Sequence, residues 1–130
     1  MALFSILSSA TQTLNLHRTW LEVVGDNIAN INTVRSTDQE AYRPHFIVAQ
    51  NTGSGGARLG GIVRGTDSIG KLVHEPQHPL ADENGYVRYP SIDLPGQMTQ
   101  LLMAQRAYQL NLQTVSHAKA AYQSALSIGK

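Results

Sequence analysis

From Leu3 to Ile31 the apolar residues recur in alternating steps of four and three: Leu3, Leu7, Ala10, Leu14, His17, Leu21, Val24, Ile28, Ile31. Only His17 breaks the apolar run. This is the a/d spacing of a coiled-coil seam, and it predicts a helix of about 43 Å at 1.5 Å per residue. No proline interrupts it, although Gly25 inside it costs about 1 kcal/mol relative to alanine. Asn30 and Asn32 suit the helix exit, because asparagine tolerates the left-handed conformation.

The C-terminal segment Gln97–Ile128 contains no glycine or proline and carries two stripes. The first, mostly large and apolar, runs Met98, Leu101, Gln105, Tyr108, Leu112, Val115, Lys119, Tyr122, Leu126. The second, on an adjacent face and mostly small, runs Ala104, Ala107, Asn111, Thr114, Ala118, Ala121, Ala125, Ile128. A helix with one apolar stripe needs one partner, and a helix with two needs more. The Leu3–Ile31 seam is expected to dock on the Met98–Leu126 seam, with His17, Gln105 and Lys119 fixing register, and the small stripe then admits a neighbour. Pro95-Gly96 marks the expected start and Gly129 the end.

The middle changes period. His45-Phe46-Ile47-Val48, within 44–50, reads as a strand. Asn51–Gly61, rich in glycine and serine, reads as a flexible loop. Short strands are expected within Gly61–Val73 and over Tyr86–Tyr89, with a turn at Asn84-Gly85. The predicted fold is mainly α with a small β or irregular insert. Its two long terminal helices pack as an antiparallel coiled-coil-like pair. The divisions are an N-terminal seam helix over 1–32, a β-rich or looped middle over 33–96, and a C-terminal seam helix over 97–130.

Composition sharpens this picture. Only 15% of the 130 residues are charged, against about 25% in ordinary globular domains. The C-terminal segment has only Arg106, Lys119 and Lys130, and the N-terminal helix only Arg18, Glu22 and Asp26. Exposed helices normally carry more charge. Little of either helix therefore faces water in the working state, and a polymer or bundle of such chains is expected. Neutral side chains can hydrogen-bond across such interfaces without the desolvation cost of buried ions. A self-contained antiparallel hairpin is the alternative.

The net charge of +1 gives no pull toward nucleic acid or anionic membranes. With no cysteine, disulfides and thiolate metal sites are excluded. No apolar run approaches the roughly 20 residues of a membrane span. Met1–Ala10 lacks Lys and Arg and does not read as a secretory signal, so export would retain the N-terminus.

Three patterns invite a chemical reading. Gly65–Leu72 is one residue short of a phosphate-binding loop, because Leu72 stands where a Mg²⁺-holding Ser or Thr is required. His74 and His78 have the spacing of helical metal ligands, with Glu75 beside them, but Pro76 lies between them. His17 lies on the helix seam and reads as a partnered or register-setting polar residue. No paired carboxylates or nucleophile pattern stand out. No catalytic, cofactor-binding or metal site is expected.

A resemblance then emerges from the motifs. The N-terminal helix closes in Asn27-Ile28-Ala29-Asn30-Ile31-Asn32-Thr33, followed by Tyr42-Arg43. His78-Pro79, Gly85-Tyr86-Val87 and Pro90 follow, and the C-terminal segment carries Arg106, Tyr108, Asn111 and a closing Ala125-Leu126-Ser127-Ile128-Gly129. Over nearly its whole length the chain resembles the bacterial flagellar basal-body rod proteins, particularly the C-type subunits of the proximal rod. The chain departs from that pattern at Ser68-Ile69-Gly70, which lacks a proline, and at Glu75-Pro76-Gln77. The resemblance implies a non-catalytic subunit in the periplasmic rod of the basal body, exported without a cleaved signal. It implies as partners copies of the chain itself, other rod subunits, and components of the basal-body base and export apparatus. It also implies terminal helices that pair to form an inner tube and transmit motor torque. Another rod or hook subunit is the nearest rival. A small phosphate- or metal-binding protein is the rival from a different class.

Overall fold

The structure is a computed structural model that describes residues 2–53 and 55–129, with side chains from Phe4 onward. The expected seam contact of Leu3 lies outside the described side chains. The order of elements is α1 (Ala2–Ala29), β1 (His45–Asn51), β2 (Ala57–Arg64), β3 (Lys71–His74), β4 (Tyr86–Tyr89) and α2 (Leu94–Ile128). Two long helices and a small β insert make the fold, as the periodicity implies.

α1 closes without a left-handed residue, contrary to the exit expected at Asn30 and Asn32; among the described residues no non-glycine has positive φ. Asn30 caps instead through its side chain. Its Nδ2 donates to Asp26 O at 2.9 Å, and its Oδ1 accepts the Thr33 hydroxyl at 3.1 Å. The first adds a second donor to the Asp26 carbonyl, which already accepts Asn30 N at 3.0 Å, and the second ties the side chain of Asn30 to the residue that follows the turn. α2 begins three residues before the expected Gln97. Pro95 fits the first turn, where its missing N–H goes unused.

The helices are antiparallel. Phe4 meets Tyr122, Asn111 Nδ2 donates to Ala10 O at 3.1 Å, Trp20 Nε1 donates to Gln100 Oε1 at 3.5 Å, and Asn27 Nδ2 donates to Gln97 Oε1 at 3.1 Å. One sequence position rises as its partner falls.

β1 and β2 form an antiparallel hairpin, with a register shift between Val48 and Ala49 that leaves Gly60 as an extra residue. Of the flexible loop expected over Asn51–Gly61, Asn51 and Ala57–Gly61 are thus strand. The glycines that read as a loop serve the bulge. A Cβ on Gly60 would lie 2.6 Å from Gln50 Cγ. β3 and β4 form a second antiparallel pair that shares no hydrogen bonds with the first.

α1 is the central element, touching α2, β1 and β2. The β3–β4 pair hangs on loops. Arg35 and Arg88 exchange main-chain bonds at 2.9 Å, and Ala41 N donates to Ser68 O at 2.9 Å. The Arg88 guanidinium donates to Ile69 O at 2.6 Å and Thr37 O at 2.7 Å. The buried apolar set is small: Leu16, Val23, Val24, Ala41, Val87, Ile92 and Ala104.

Candidate assembly surface

The α1 seam is covered as its spacing requires. Val24 is buried, and Leu7, Leu14, His17, Leu21 and Ile28 are half-buried. A second covered line runs through Thr13, Leu16, Trp20, Val23 and Asn27. Along it the Thr13 hydroxyl lies 3.2 Å from Ala57 O, and Asn27 reaches His45. α1 is therefore covered on two sides, by α2 and by the hairpin.

α2 is rotated relative to the expected arrangement. Its inward line is Gln97, Leu101, Ala104, Tyr108, Asn111, Val115, Ala118 and Tyr122, which draws on both stripes. Ala104 is 0% exposed, and Ala107 is half-buried. The small stripe is thus not wholly free for a neighbouring chain. Met98, Gln105, Leu112, Lys119 and Leu126 from the large stripe are exposed, as are Ala121 and Ala125. The cause is close approach. Ala104 lets α1 come near, and Asn111 can then reach the main chain of Ala10. A larger residue on that line would hold the helices apart.

The rotation leaves much apolar surface outward: Met98, Leu102, Leu110, Leu112, Leu126 and Ile128 on α2, and Phe46, Leu59, Ile62 and Val63 on the hairpin. Every residue from Lys119 to Gly129 is exposed. Exposed apolar side chains in such number, where they adjoin, mark interaction sites.

A groove of about 700 Å³ lies where α1, β1 and α2 meet, walled by Leu16, His17, Trp20, Phe46, Ile47 and Met103. His17 Nδ1 is buried there with no partner among the described residues, unlike the partnered histidine expected. Burial holds its imidazole below the ordinary value of 6.5.

The chemical patterns resolve into turns. The Asp67 carboxylate accepts the N–H groups of Ile69 and Gly70, each at 3.0 Å. These amides, the Gly70 bond first, hold Asp67 below the ordinary carboxylate value. They are donors that a phosphate loop would offer its ligand, and Lys71 opens a strand where that loop needs a helix. His78 Nδ1 accepts Leu80 N at 3.1 Å, while His74 packs edge-on against Tyr86. Among the described residues no three His, Asp or Glu side chains are grouped to hold a metal ion, and no helix is long and apolar enough to cross a membrane.

Residues 7–35 match the family described as Flagella basal body rod protein, and residues 83–128 match the Flagellar basal body rod FlgEFG protein C-terminal family. The chain is 34% identical to the flagellar basal-body rod protein FlgC of Escherichia coli O157:H7 and of Salmonella typhimurium, with all of each chain covered. It is 30% identical to FlgC of Borreliella burgdorferi, with 98% of each chain covered. The chain belongs to the flagellar basal-body rod protein family.

In this rod protein the two matched segments meet at Asn27 and Gln97, both buried. Asn27 Oδ1 also accepts His45 N at 2.8 Å and lies 3.4 Å from the Tyr42 hydroxyl, which in turn lies 3.1 Å from His45 Nδ1. Asn30 and Thr33 form the α1 cap, while Asn32 is exposed. Arg43 pairs with Glu40 at 3.3 Å. Of the motif around the second hairpin, Val87 and Pro90 are buried and His78-Pro79 lies in the connecting turn. Gly85, at φ 78, lies in a conformation that side chains rarely adopt, and a Cβ there would lie 3.1 Å from Pro76 and from His74 Nε2.

Four structurally central residues escaped the sequence reading. Arg88 and Gln97 carry no local signature. Asp82 takes the N–H of Tyr86 at 2.8 Å and of Asn84 at 2.9 Å, and its other oxygen takes the Thr37 hydroxyl at 3.0 Å. Asp82 and Asp67 sit at turn starts, where a carboxylate can reach amides two residues on; that signal was available.

Proposed function

We propose that the chain is a structural subunit of the bacterial flagellar rod, a part whose work is packing and not catalysis. The observation that carries this reading is the outward apolar face of α2, on a chain related over its full length to rod proteins. Every residue from 119 to 129 is exposed, Tyr122 with only an edge contact from Phe4, and charge is nearly absent along α2. A helix of this composition needs neighbours to remove its apolar surface from water.

The partners are further copies of the chain and other rod subunits. Basal-body base and export apparatus components are further partners, and the chain's place is the periplasmic proximal rod. The subunits transmit torque through interlocked helices. Met98, Gln105, Leu112, Lys119, Leu126, Ala121 and Ala125 are the outward contacts of α2, and polar Gln105 and Lys119 help set register.

The test is Leu112→Asp. Leu112 is 42% exposed in the chain alone, so the monomer should fold with unchanged helicity. In the assembly the new charge is buried without a partner. Loss of rod incorporation and of motility is expected. Normal swimming with the variant present in basal bodies would overturn the reading.

A further inference from the structure

Three of the ten basic residues converge on one concavity at the exit of α1. A cleft of about 280 Å³ is lined by Arg35, Arg43 and Arg64, with Glu40, Tyr42 and His45. The backbone fixes each arginine's position. Arg35 is held by its main-chain exchange with Arg88, and Arg64 pairs with His45 across the open end of the hairpin. Next to it, Gly65 N donates to Pro44 O at 2.7 Å.

The charges in the cleft do not balance. Glu40 is its only carboxylate and already pairs with Arg43. Arg35 and Arg64 form no ion pair among the described residues. The Tyr42 hydroxyl and His45 Nδ1 face each other. Asp26 acts on the Tyr42 phenol but does not line the cleft. A concavity whose lining carries a net charge of one sign focuses its field on what enters. All three cations are arginines, whose planar forks match carboxylates two bonds at a time.

We propose that this cleft receives an acidic segment, bearing at least two carboxylates, from a neighbouring subunit; the identity of that neighbour rests on the rod reading above. The distribution of acids supports a partner contact through the insert. α2 has none, and seven of the chain's nine acids lie outside the helices. The helix faces offer packing without sign. An ionic contact in the insert supplies what they lack, selection among neighbours with similar helices.

The experiment uses the full-length, unassembled chain and follows arginine Nε–H signals by NMR. The probes are a capped Glu-Asp-Gly-Glu peptide, its Gln-Asn-Gly-Gln counterpart, and inorganic phosphate at matched ionic strength. The acidic peptide should shift Arg35, Arg43 and Arg64 together, and the effect should fall about fivefold between about 0.01 M and about 0.15 M salt. The neutral peptide and phosphate should leave all three unmoved. In the Arg35→Glu/Arg64→Glu variant, whose changes are both exposed, helicity should persist and the Arg43 response should vanish. No shift with the acidic peptide overturns the proposal, as does a response that survives the double reversal. Equal shifts with phosphate overturn it in favour of a small-anion site. If the titration fails while Leu112→Asp still abolishes incorporation, the cleft proposal falls alone. If the titration succeeds while Leu112→Asp swims normally, the rod reading falls and the acid-binding cleft stands.

Discussion

The side-chain amide of Asn27 pairs with the main chain of His45 as a neighbouring strand would, its Nδ2 donating to the carbonyl and its Oδ1 accepting the N–H, both at 2.8 Å. The second Nδ2 hydrogen goes to Gln97, so one buried amide joins α1, β1 and α2. Removing it strands both backbone groups and the Gln97 carbonyl. Asn27→Ala should cost about 2–3 kcal/mol, read from urea denaturation. Asn27→Asp keeps the acceptor but turns an oxygen on two others, and should be at least as damaging. A loss below about 0.5 kcal/mol for the alanine variant would show that the amide is not the joint.

The rotation of α2 predicts unequal outcomes at two neighbouring positions. Ala104 is fully buried against α1, so Ala104→Leu should destabilise the monomer by about 1–3 kcal/mol through overpacking. Leu112→Asp, at a position 42% exposed, should cost the monomer less, about 0.5–1 kcal/mol, chiefly in helix propensity. Chemical denaturation of both variants at one protein concentration decides it. The reverse ranking would place the large stripe against α1 after all.

Two glycines should respond with opposite sign to alanine. Gly70 has φ +64, and a Cβ there would lie 2.1 Å from Tyr89 O and 2.7 Å from Ala41 Cβ. Something in the backbone must move, and a loss of about 2 kcal/mol or more is expected. Gly25 lies within α1 with nothing within 4 Å of its Cβ position. Gly25→Ala should stabilise by about 0.5–1 kcal/mol. Thermal melts would show both shifts, and an unchanged Gly70→Ala midpoint would contradict the close contact.

His17 should make stability depend on pH. Burial lowers its folded pKa below 6.5, so the unfolded chain holds the proton more tightly. The contribution is complete above 6.5 and declines as pH falls from there toward the lower folded value. Between about pH 7 and about pH 5, the wild-type urea midpoint should fall more than that of His17→Gln. Parallel profiles would mean that His17 is as free to charge in the fold as out of it.

The helices were legible because their signal is local and repeated. Four heptads marked α1, and a stretch free of glycine and proline marked α2. Which face of α2 turns inward was not legible. Both stripes satisfy periodicity, and the choice depends on how near Ala104 and Asn111 allow α1 to come. The hairpin was half-read because Gly60 and Gly61 signal a loop unless the opposite strand is known. Left-handed exits at Asn30 and Asn32 were expected from residue type, but Asn30 found a side-chain cap using Asp26 and Thr33. The Asn27 motif was visible as a pattern. Its role was not, because His45 and Gln97 reach it only in the fold. The arginine cleft went unread for the same reason: Arg35, Arg43 and Arg64 come from separate segments.

The hairpin is fastened to α1 at two places, by Asn27 at its open end and by the Thr13 hydroxyl beside Ala57 near its tip. These lie about 21 Å apart along the helix axis at 1.5 Å per residue. A rib held at both ends stiffens the beam it lies on. Sideways load on the tip is therefore resisted as a couple between two anchors, not as rotation about one hinge. α2 has no such rib, so its flexural rigidity beyond Tyr122 must come from whatever lies alongside it.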